Sequence, residues 1–341
     1  MKRYKNLWES FISMENLELA AKKAVKSKKS KWQTKVFEKN KHELLLKLQK
    51  SLQDGTFTTS GYRLRKIFEP KERTIYILPL YPDHIVHHAL INILGPIWQR
   101  GFISDSYACI PNKGLHKASI RIMDFVRRNK YVLQCDVRKF YPSINHEIMF
   151  NIVKHKVGDK KLLRVLHDII WSCGADSNLP IGNLTSQWMG NVYLNELDHF
   201  VKEKLRCCDY IRYCDDFCLF GNDKIILHQY KKNIEQFLWN RLKLRFSKSV
   251  VFQVKRGVAF IGYRHFKKFT MLRKYGAYKM KKYIMNIVLH NDYSEHAIGQ
   301  LAAYHGWAKW CCSRNFINNI CKKIASIDMR RFIYARLFVD L

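Results

Sequence analysis

Apolar residues recur every three or four positions in some stretches of this chain and run together or alternate in others, and the contrast predicts its elements. Over residues 17–50, Leu17, Leu19 and Ala20 lead into a lysine patch (Lys22, Lys23, Lys26, Lys28, Lys29, Lys31), and Leu44, Leu45, Leu46 and Leu48 follow it. That pattern predicts two amphipathic helices, the second ended by Asp54-Gly55. Thr74 to Leu78 predicts a strand that stops at Pro79, and Val86, Leu90, Ile93 and Leu94 predict a helix over residues 85–98. Tyr131 to Cys135 is a short apolar strand with Asp136 at its end. Met189, Tyr193, Leu197, Val201 and Leu205 lie four apart and predict a helix over 188–205. Tyr210 to Tyr213 and Phe217 to Phe220 flank Cys214-Asp215-Asp216, which predicts a hairpin with both carboxylates in its turn. Leu227, Tyr230, Ile234, Phe237 and Leu238 mark a further helix. Residues 250–254 and 258–263 predict a strand pair around Arg256-Gly257, and the chain from about 275 onward is basic and helical in pattern. Strands and helices in this order predict an α+β fold and not a doubly wound sheet.

Composition narrows the class. The 341 residues suffice for one large or two to three small folding units, and 47% hydrophobic residues exclude a disordered chain. Lys and Arg total 61 against 28 Asp and Glu, a net charge of +33. Repulsion on that scale disfavours a compact state unless a polyanion screens it, and the polyanion this points to is nucleic acid. No basic amphipathic helix stands apart as a membrane-surface element, and no apolar run approaches the ~20 residues of a membrane span. Met1 to Lys5 is charged and lacks the apolar core of a secretion signal. The ten cysteines include the adjacent pairs Cys207-Cys208 and Cys311-Cys312 but no repeated CxxC, which argues against zinc. A reducing cytoplasm, with the cysteines as small core residues, is the expected setting.

The acidic residues add chemistry. A single carboxylate at a strand end is ordinarily a solvated turn residue or a helix cap. Two adjacent aspartates between apolar strands are different, because packing like charges together is unfavourable without a cation. Hard oxygen ligands suit Mg²⁺, which takes one or two carboxylates together with substrate phosphates. Two such ions activate an attacking hydroxyl and stabilise a leaving pyrophosphate.

Tyr213-Cys214-Asp215-Asp216 resembles the YxDD box of reverse transcriptases, and Asp136 to Tyr141 resembles their first palm motif. The resemblance runs from about residue 60 to 315, with motifs in the family's order. It implies a right-hand polymerase of fingers, palm and helical thumb that copies an RNA template into DNA with two Mg²⁺ ions. Asp136, Asp215 and Asp216, with the Val137 carbonyl, would hold the metals. Lys71 and Arg73 would hold the triphosphate, and Tyr141 would reject a ribose 2′-hydroxyl. Leu179 to Gln187, which contains Ile181, Gly182 and Gln187, matches the nucleotide-pocket motif. Lys248 falls where the family has a basic residue able to protonate pyrophosphate, with an exposed turn lysine as the equal alternative. Gly257 to Gly262, with Phe260 between them, resembles the primer grip. The expected segments are a basic helical extension (1–60), fingers and start of the palm (61–135), palm (136–265, with a fingers insertion at about 145–185) and thumb (266–341).

Most relatives carry Gln-Gly and Ser-Pro in the pocket motif. Ile181-Gly182 and Ser186-Gln187 instead resemble the reverse transcriptases of diversity-generating retroelements, as do Ser106-Tyr107-Ala108-Cys109 and Tyr304-His305-Gly306-Trp307. The chain stops after a thumb-sized segment with no evident maturase or endonuclease part, which fits the same group. That family implies copying errors concentrated at template adenines, an RNA template and RNA/cDNA duplex, dNTPs as substrates, and a small basic oligomeric accessory variability protein as partner. Asp83-His84 and Ile110-Pro111 depart from the usual fingers pattern. A retron-like or phage-defence reverse transcriptase, a non-catalytic RNA-binding protein on a polymerase scaffold and a basic nucleic-acid coat protein are the competing readings. The pocket motif opposes the first, and the intact acidic residues oppose the second. The Asp-Asp hairpin opposes the third.

Overall fold

The computed structural model describes residues 3–68, 71–290, 292 and 294–325; the end of the expected thumb, 326–341, and the first two residues of the lysine-rich start lie outside the described residues. Nine strands form three sheets among the described residues. They are β1 (Arg63–Ile67), β2 (Arg73–Ile77), β3 (Tyr131–Val137), β4 (Tyr210–Tyr213), β5 (Asp216–Gly221), β6 (Phe246–Gln253), β7 (Val258–Phe260), β8 (Tyr263–His265) and β9 (Thr270–Leu272). The sheets are β1-β2, then β4-β5-β3-β6, then β7-β8-β9. The mixture of many helices with hairpin-linked sheets is the α+β class the sequence predicts. No helix among the described residues is long and apolar enough to cross a membrane.

The chain divides into two compact units. The first comprises residues 1–111, 135–217 and 229–249, and the second 112–134, 218–228 and 250–341. In the first unit the helix Met14–Val25 packs on Ile85–Gln99. Leu17, Ala20, Ala21 and Ala24 fall on one face at helical spacing, and all are buried. Ser13 caps the first of these helices by accepting from the Asn16 amide at 3.2 Å. The Asn16 side chain in turn donates to the Ala89 carbonyl at 3.2 Å and accepts from Asn92 at 2.9 Å. The lysine patch does not continue the helix. Ser27 adopts a left-handed φ of 62°, and the chain restarts as Trp32–Lys39 and Lys41–Gln53, three helices where the pattern predicts two. The helix Leu184–His199 is buried on most of its circumference, including Trp188, Met189, Tyr193, Leu194 and Leu197. This explains why its apolar pattern is so persistent.

In the second unit the helix Leu115–Arg128 buries Ala118, Ile122, Phe125 and Val126 and packs on β8. The strand pair expected around Arg256-Gly257 does not form. Val254–Arg256 is a 3-10 turn and Gly257 turns with φ 81°, so the chain changes direction. β6 therefore lies beside β3, and residues 258–263 fold on themselves, with Phe260 opposite Tyr263 across an Ile261-Gly262 turn. Both turn residues have positive φ, 45° and 86°, the signature of a type I′ hairpin. The helices Lys274–His290, Glu295–Ala308 and Arg314–Ala325 enclose Met280, Ile284, Val288, Ala308 and Ile320.

Candidate active site

Asp136 lies within β3, whose neighbours Val132, Leu133, Cys135 and Val137 are buried. It is half-buried and accepts a short hydrogen bond from the Ser247 hydroxyl of β6. The Arg138 amide donates to the Arg245 carbonyl at 2.8 Å, which fixes the end of β3 beside β6. The chain then turns through Lys139 (φ 42°) into the short helix Phe140–Ser143. This helix carries Tyr141. A Cβ added at Gly190 would lie 3.1 Å from the Phe140 ring and 3.3 Å from the Tyr141 ring. Glycine in the middle of Leu184–His199 thus gives both rings room against the helix. Burial pushes the Tyr141 phenol far above its ordinary pKa, so it stays neutral.

The β4–β5 hairpin has Cys214 and Asp215 in its turn, and Asp216 is the first, half-buried residue of β5. Cys214 is left-handed, with φ 54°. The turn is held from inside by Arg212, which has no exposure. Its Nε and Nη2 donate to the two oxygens of Asp198 at 2.8 and 2.7 Å. Its Nη1 donates to the Asn191 side chain and to the Cys214 carbonyl, each at 3.0 Å. The Tyr210 hydroxyl completes the ring on Asp198 at 2.7 Å. Asn191 donates onward to the Ala108 carbonyl at 2.8 Å, and the backbone pairs Arg212 with Asp105 and Tyr107.

The Asp215 carboxyl is held above its ordinary pKa by burial and by the charge of Asp136. Its own backbone, Arg73 and Lys71 oppose the shift. Strand β3, which carries Asp136, lies next to β5, whose first residue is Asp216. Asp136 and Asp215 offer hard oxygens to a cation that would relieve their repulsion, a donor set that fits Mg²⁺. No set of three or more His, Cys, Asp or Glu close enough to hold a metal ion is present among the described residues. Mg²⁺ completes such a shell with waters and substrate phosphates.

The pocket motif is tied to β2. The Tyr76 amide donates to the Ile181 carbonyl at 2.8 Å. Gly182 has φ 126°, and a Cβ there would stand 2.6 Å from the Tyr76 carbonyl, so no other residue fits without moving the strand. Ile181 is half-buried, and Gln187 is exposed in the first turn of Leu184–His199. Lys71 and Arg73 are exposed at the start of β2, and Lys248 is exposed on β6, one residue past Ser247. Gly257, Phe260 and Gly262 belong to the second unit. Phe260 is buried, a Cβ added at Gly262 would lie 3.0 Å from the Trp307 ring, and the Tyr263 hydroxyl donates to the Trp307 carbonyl at 3.0 Å. Trp307 of the Tyr304–Trp307 segment thus braces that hairpin.

Sequence reasoning missed Arg212, Asp198, Asn191, Ser247 and Gly190. Gly190 had a signal, since a glycine inside a helical pattern marks a close approach. Arg212 and Asp198 had a weaker one: each is a charge at a position whose period places it in the core.

The profile of the reverse transcriptase (RNA-dependent DNA polymerase) family matches residues 70–265. Protein YkfC of Escherichia coli strain K12 is 23% identical over 255 residues, 60% of this chain and 67% of that protein. The group II intron-encoded protein LtrA of Lactococcus lactis subsp. cremoris is 24% identical over 169 residues, 47% of this chain and 28% of LtrA. The retron Ec73 reverse transcriptase of Escherichia coli is 30% identical over 148 residues, 38% of this chain and 46% of the retron enzyme. The matches thus span less than half the length of the intron-encoded and retron relatives.

Proposed function

Because the chain belongs to the reverse transcriptase family, we propose that it copies an RNA template into DNA, with Asp136 and Asp215 at the centre of the reaction. One observation supports the reading: the strand order β4-β5-β3-β6 sets β3, which carries Asp136, beside the hairpin that carries Asp215 and Asp216. Two Mg²⁺ ions, held by Asp136, Asp215, Asp216 and the Val137 carbonyl, would supply the charge that activates the primer hydroxyl and stabilises pyrophosphate. Lys71 and Arg73 hold the triphosphate by charge-assisted hydrogen bonds. Tyr141, braced on Gly190, packs against the sugar and excludes a 2′-hydroxyl. Ile181, Gly182 and Gln187 line the nucleotide pocket, and Lys248 gives a proton to pyrophosphate. Gly257, Phe260 and Gly262 seat the primer. The test is primer extension on an RNA template with Mg²⁺. Asp136→Asn and Asp215→Asn should each abolish it while leaving RNA binding in place, and normal extension by either variant would refute the assignment.

The Ile181-Gly182 and Ser186-Gln187 pattern supports a narrower reading: an error-prone enzyme of a diversity-generating retroelement. It would act in the cytoplasm with a small basic oligomeric accessory protein and misincorporate at template adenines. Similarity to the retron Ec73 enzyme favours a second reading, a retron-like reverse transcriptase. Sequencing the RNA that co-purifies with the protein, and the cDNA made from it, separates the two. Substitutions clustered at adenines support the first, and faithful copies of the RNA support the second.

A further inference from the structure

Two segments of the first unit carry an exposed indole and four exposed cations. Arg138 and Lys139 follow β3, while Trp239, Lys243 and Arg245 run from the last turn of the helix Lys224–Leu242 to the start of β6. The backbone ties the segments together, because the Arg138 amide donates to the Arg245 carbonyl at 2.8 Å. The helix ends at Lys243, which is left-handed with φ 53° and donates its amide to the Trp239 carbonyl at 3.2 Å. The Leu244 amide donates to the Leu238 carbonyl at 3.0 Å, and the buried Tyr193 hydroxyl donates to the Leu242 carbonyl at 2.7 Å. Leu238, Leu242 and Leu244 are buried, so this turn is pinned from inside while Trp239, Lys243 and Arg245 stay exposed.

The Arg245 guanidinium lies 4.2 Å from the centre of the Trp239 ring, and the Lys243 ammonium lies 5.4 Å from it. At these distances both cations are attracted to the ring. The indole still keeps 44% of its surface open. None of the four cations forms an ion pair with a carboxylate among the described residues. Glu235, one turn before Trp239, is the single acidic residue of that helix. Solubility alone needs cations but no open indole beside them. A flat apolar ring and unpaired cations on one rigid turn match a nucleobase with its flanking phosphates. Bases in a duplex are already stacked inward, so only a single strand presents both groups. An acidic peptide would engage the cations and leave the ring unmatched.

We propose that Trp239, with Arg138, Lys139, Lys243 and Arg245, is a stacking site for a single-stranded stretch of RNA. One base lies on the indole, and the phosphates beside it meet the cations. These residues are separate from those assigned above to metal, triphosphate and primer. The choice of RNA rests on the RNA-copying reading, and the site is tested without any synthesis.

The experiment uses the full chain without dNTPs. A short, unstructured, fluorescently labelled RNA is titrated at several salt concentrations, single-stranded and as a fully paired duplex. The proteins are wild type, Trp239→Ala, Trp239→Phe, and Lys243→Gln combined with Arg245→Gln. Trp239→Ala should weaken single-strand binding by roughly tenfold or more and leave the salt slope unchanged. Trp239→Phe should restore most of the affinity. The double charge variant should lower the slope by roughly 0.7 for each phosphate left without its cation. Duplex affinity should be the same for Trp239→Ala and wild type. Photo-cross-linking of wild type to thiouridine-substituted RNA should mark the peptide that contains Trp239, a readout that needs no substitution. Unchanged single-strand affinity of folded Trp239→Ala, an equal loss on the duplex, or absence of that cross-link would overturn the proposal. Loss of polyglutamate binding with RNA binding intact would also overturn it and mark the surface as a site for an acidic protein. Primer extension is assayed separately: its failure would count against the polymerase reading and leave the binding result standing.

Discussion

At the scale of single residues, Arg212 ties the turn that carries Asp215 to the core. Its three nitrogens are spent on Asp198, Asn191 and the Cys214 carbonyl, with no access to water. Arg212→Met leaves Asp198 buried without its counter-charge. The expected loss is about 3–5 kcal/mol by urea unfolding, with primer extension falling further than stability explains. Asp198→Leu in the same chain should recover part of the stability, because both buried charges are then gone. In sequence Arg212 is a lone charge in an apolar strand, and only the packed structure shows Asp198 as the partner that lets it lie inward. Ile181 is a contrasting case, since the sequence identifies it and the structure adds the reason a substitution is informative. Its tie to β2 runs through its carbonyl, so Ile181→Gln keeps that tie and changes only the side chain. A glutamine amide adds a hydrogen bond worth roughly 1 kcal/mol, about fivefold in rate, for a nucleotide placed correctly. Misincorporation opposite template adenine should fall more than total synthesis. Sequencing cDNA made by both proteins on one template measures it, and equal substitution rates at adenine would place fidelity elsewhere.

At the scale of elements, the strands that alternate or run apolar were legible. β2, β3, β4 and β5 lie where Thr74–Leu78, Tyr131–Cys135, Tyr210–Tyr213 and Phe217–Phe220 predict them, within a residue or two at their ends. β1 was not, because Arg63, Leu64, Arg65 and Lys66 are exposed and carry no buried face. The expected strand pair near Gly257 failed for another reason. Apolar content is the same whichever partner a strand takes, and pairing was decided by turns at Val254–Arg256 and Ile261-Gly262. The resulting β7-β8-β9 sheet has a testable pH dependence. His265 has no exposure, accepts from or donates to Ser119 at 2.9 Å, lies 3.2 Å from the Val258 carbonyl and faces the Tyr263 ring. Burial lowers its pKa to about 4, while the Val258 carbonyl partly offsets this. The unfolded imidazole takes a proton near 6.5, so between those values the unfolded chain binds more protons than the folded one. The contribution is full above about 6.5 and is lost as the pH falls towards 4, by about 3 kcal/mol. Urea unfolding of wild type and His265→Phe should show a stability gap that narrows over this window; a gap independent of pH would mean that His265 is not held neutral.

At the scale of the whole molecule, charge was the property read most directly from sequence and the one that most constrains function. A surplus of 33 positive charges on 341 residues must be screened, and the basic residues are spread over several elements. Lys22, Lys23, Lys26, Lys28, Lys29 and Lys31 lie on the first helices and their connection. Arg63, Arg65 and Lys66 project from β1, and Arg273, Lys274, Lys279, Lys281 and Lys282 lie at and along the helix Lys274–His290. Asp and Glu total only 28 against 61 Lys and Arg, too few to neutralise them all. Phosphates bound by such residues release condensed cations, so affinity for RNA should fall linearly in log–log form as salt rises. If the chain neutralises 6–10 phosphates, its template affinity should drop by roughly 10³–10⁵ between 50 and 200 mM salt. Charge at the centre should behave differently, because on the proposed reading Lys71 and Arg73 would face one triphosphate and not the template backbone. Lys279→Ala with Lys282→Ala should therefore reduce the salt slope, by roughly 0.7 for each single-strand phosphate left without its cation, and weaken all templates alike. Arg73→Ala should leave the slope unchanged and raise the KM for dNTPs. Filter binding over a salt series, with steady-state primer extension on the same preparations, measures both, and a slope shared by the two sets of variants would show that the cations at the centre also carry the template.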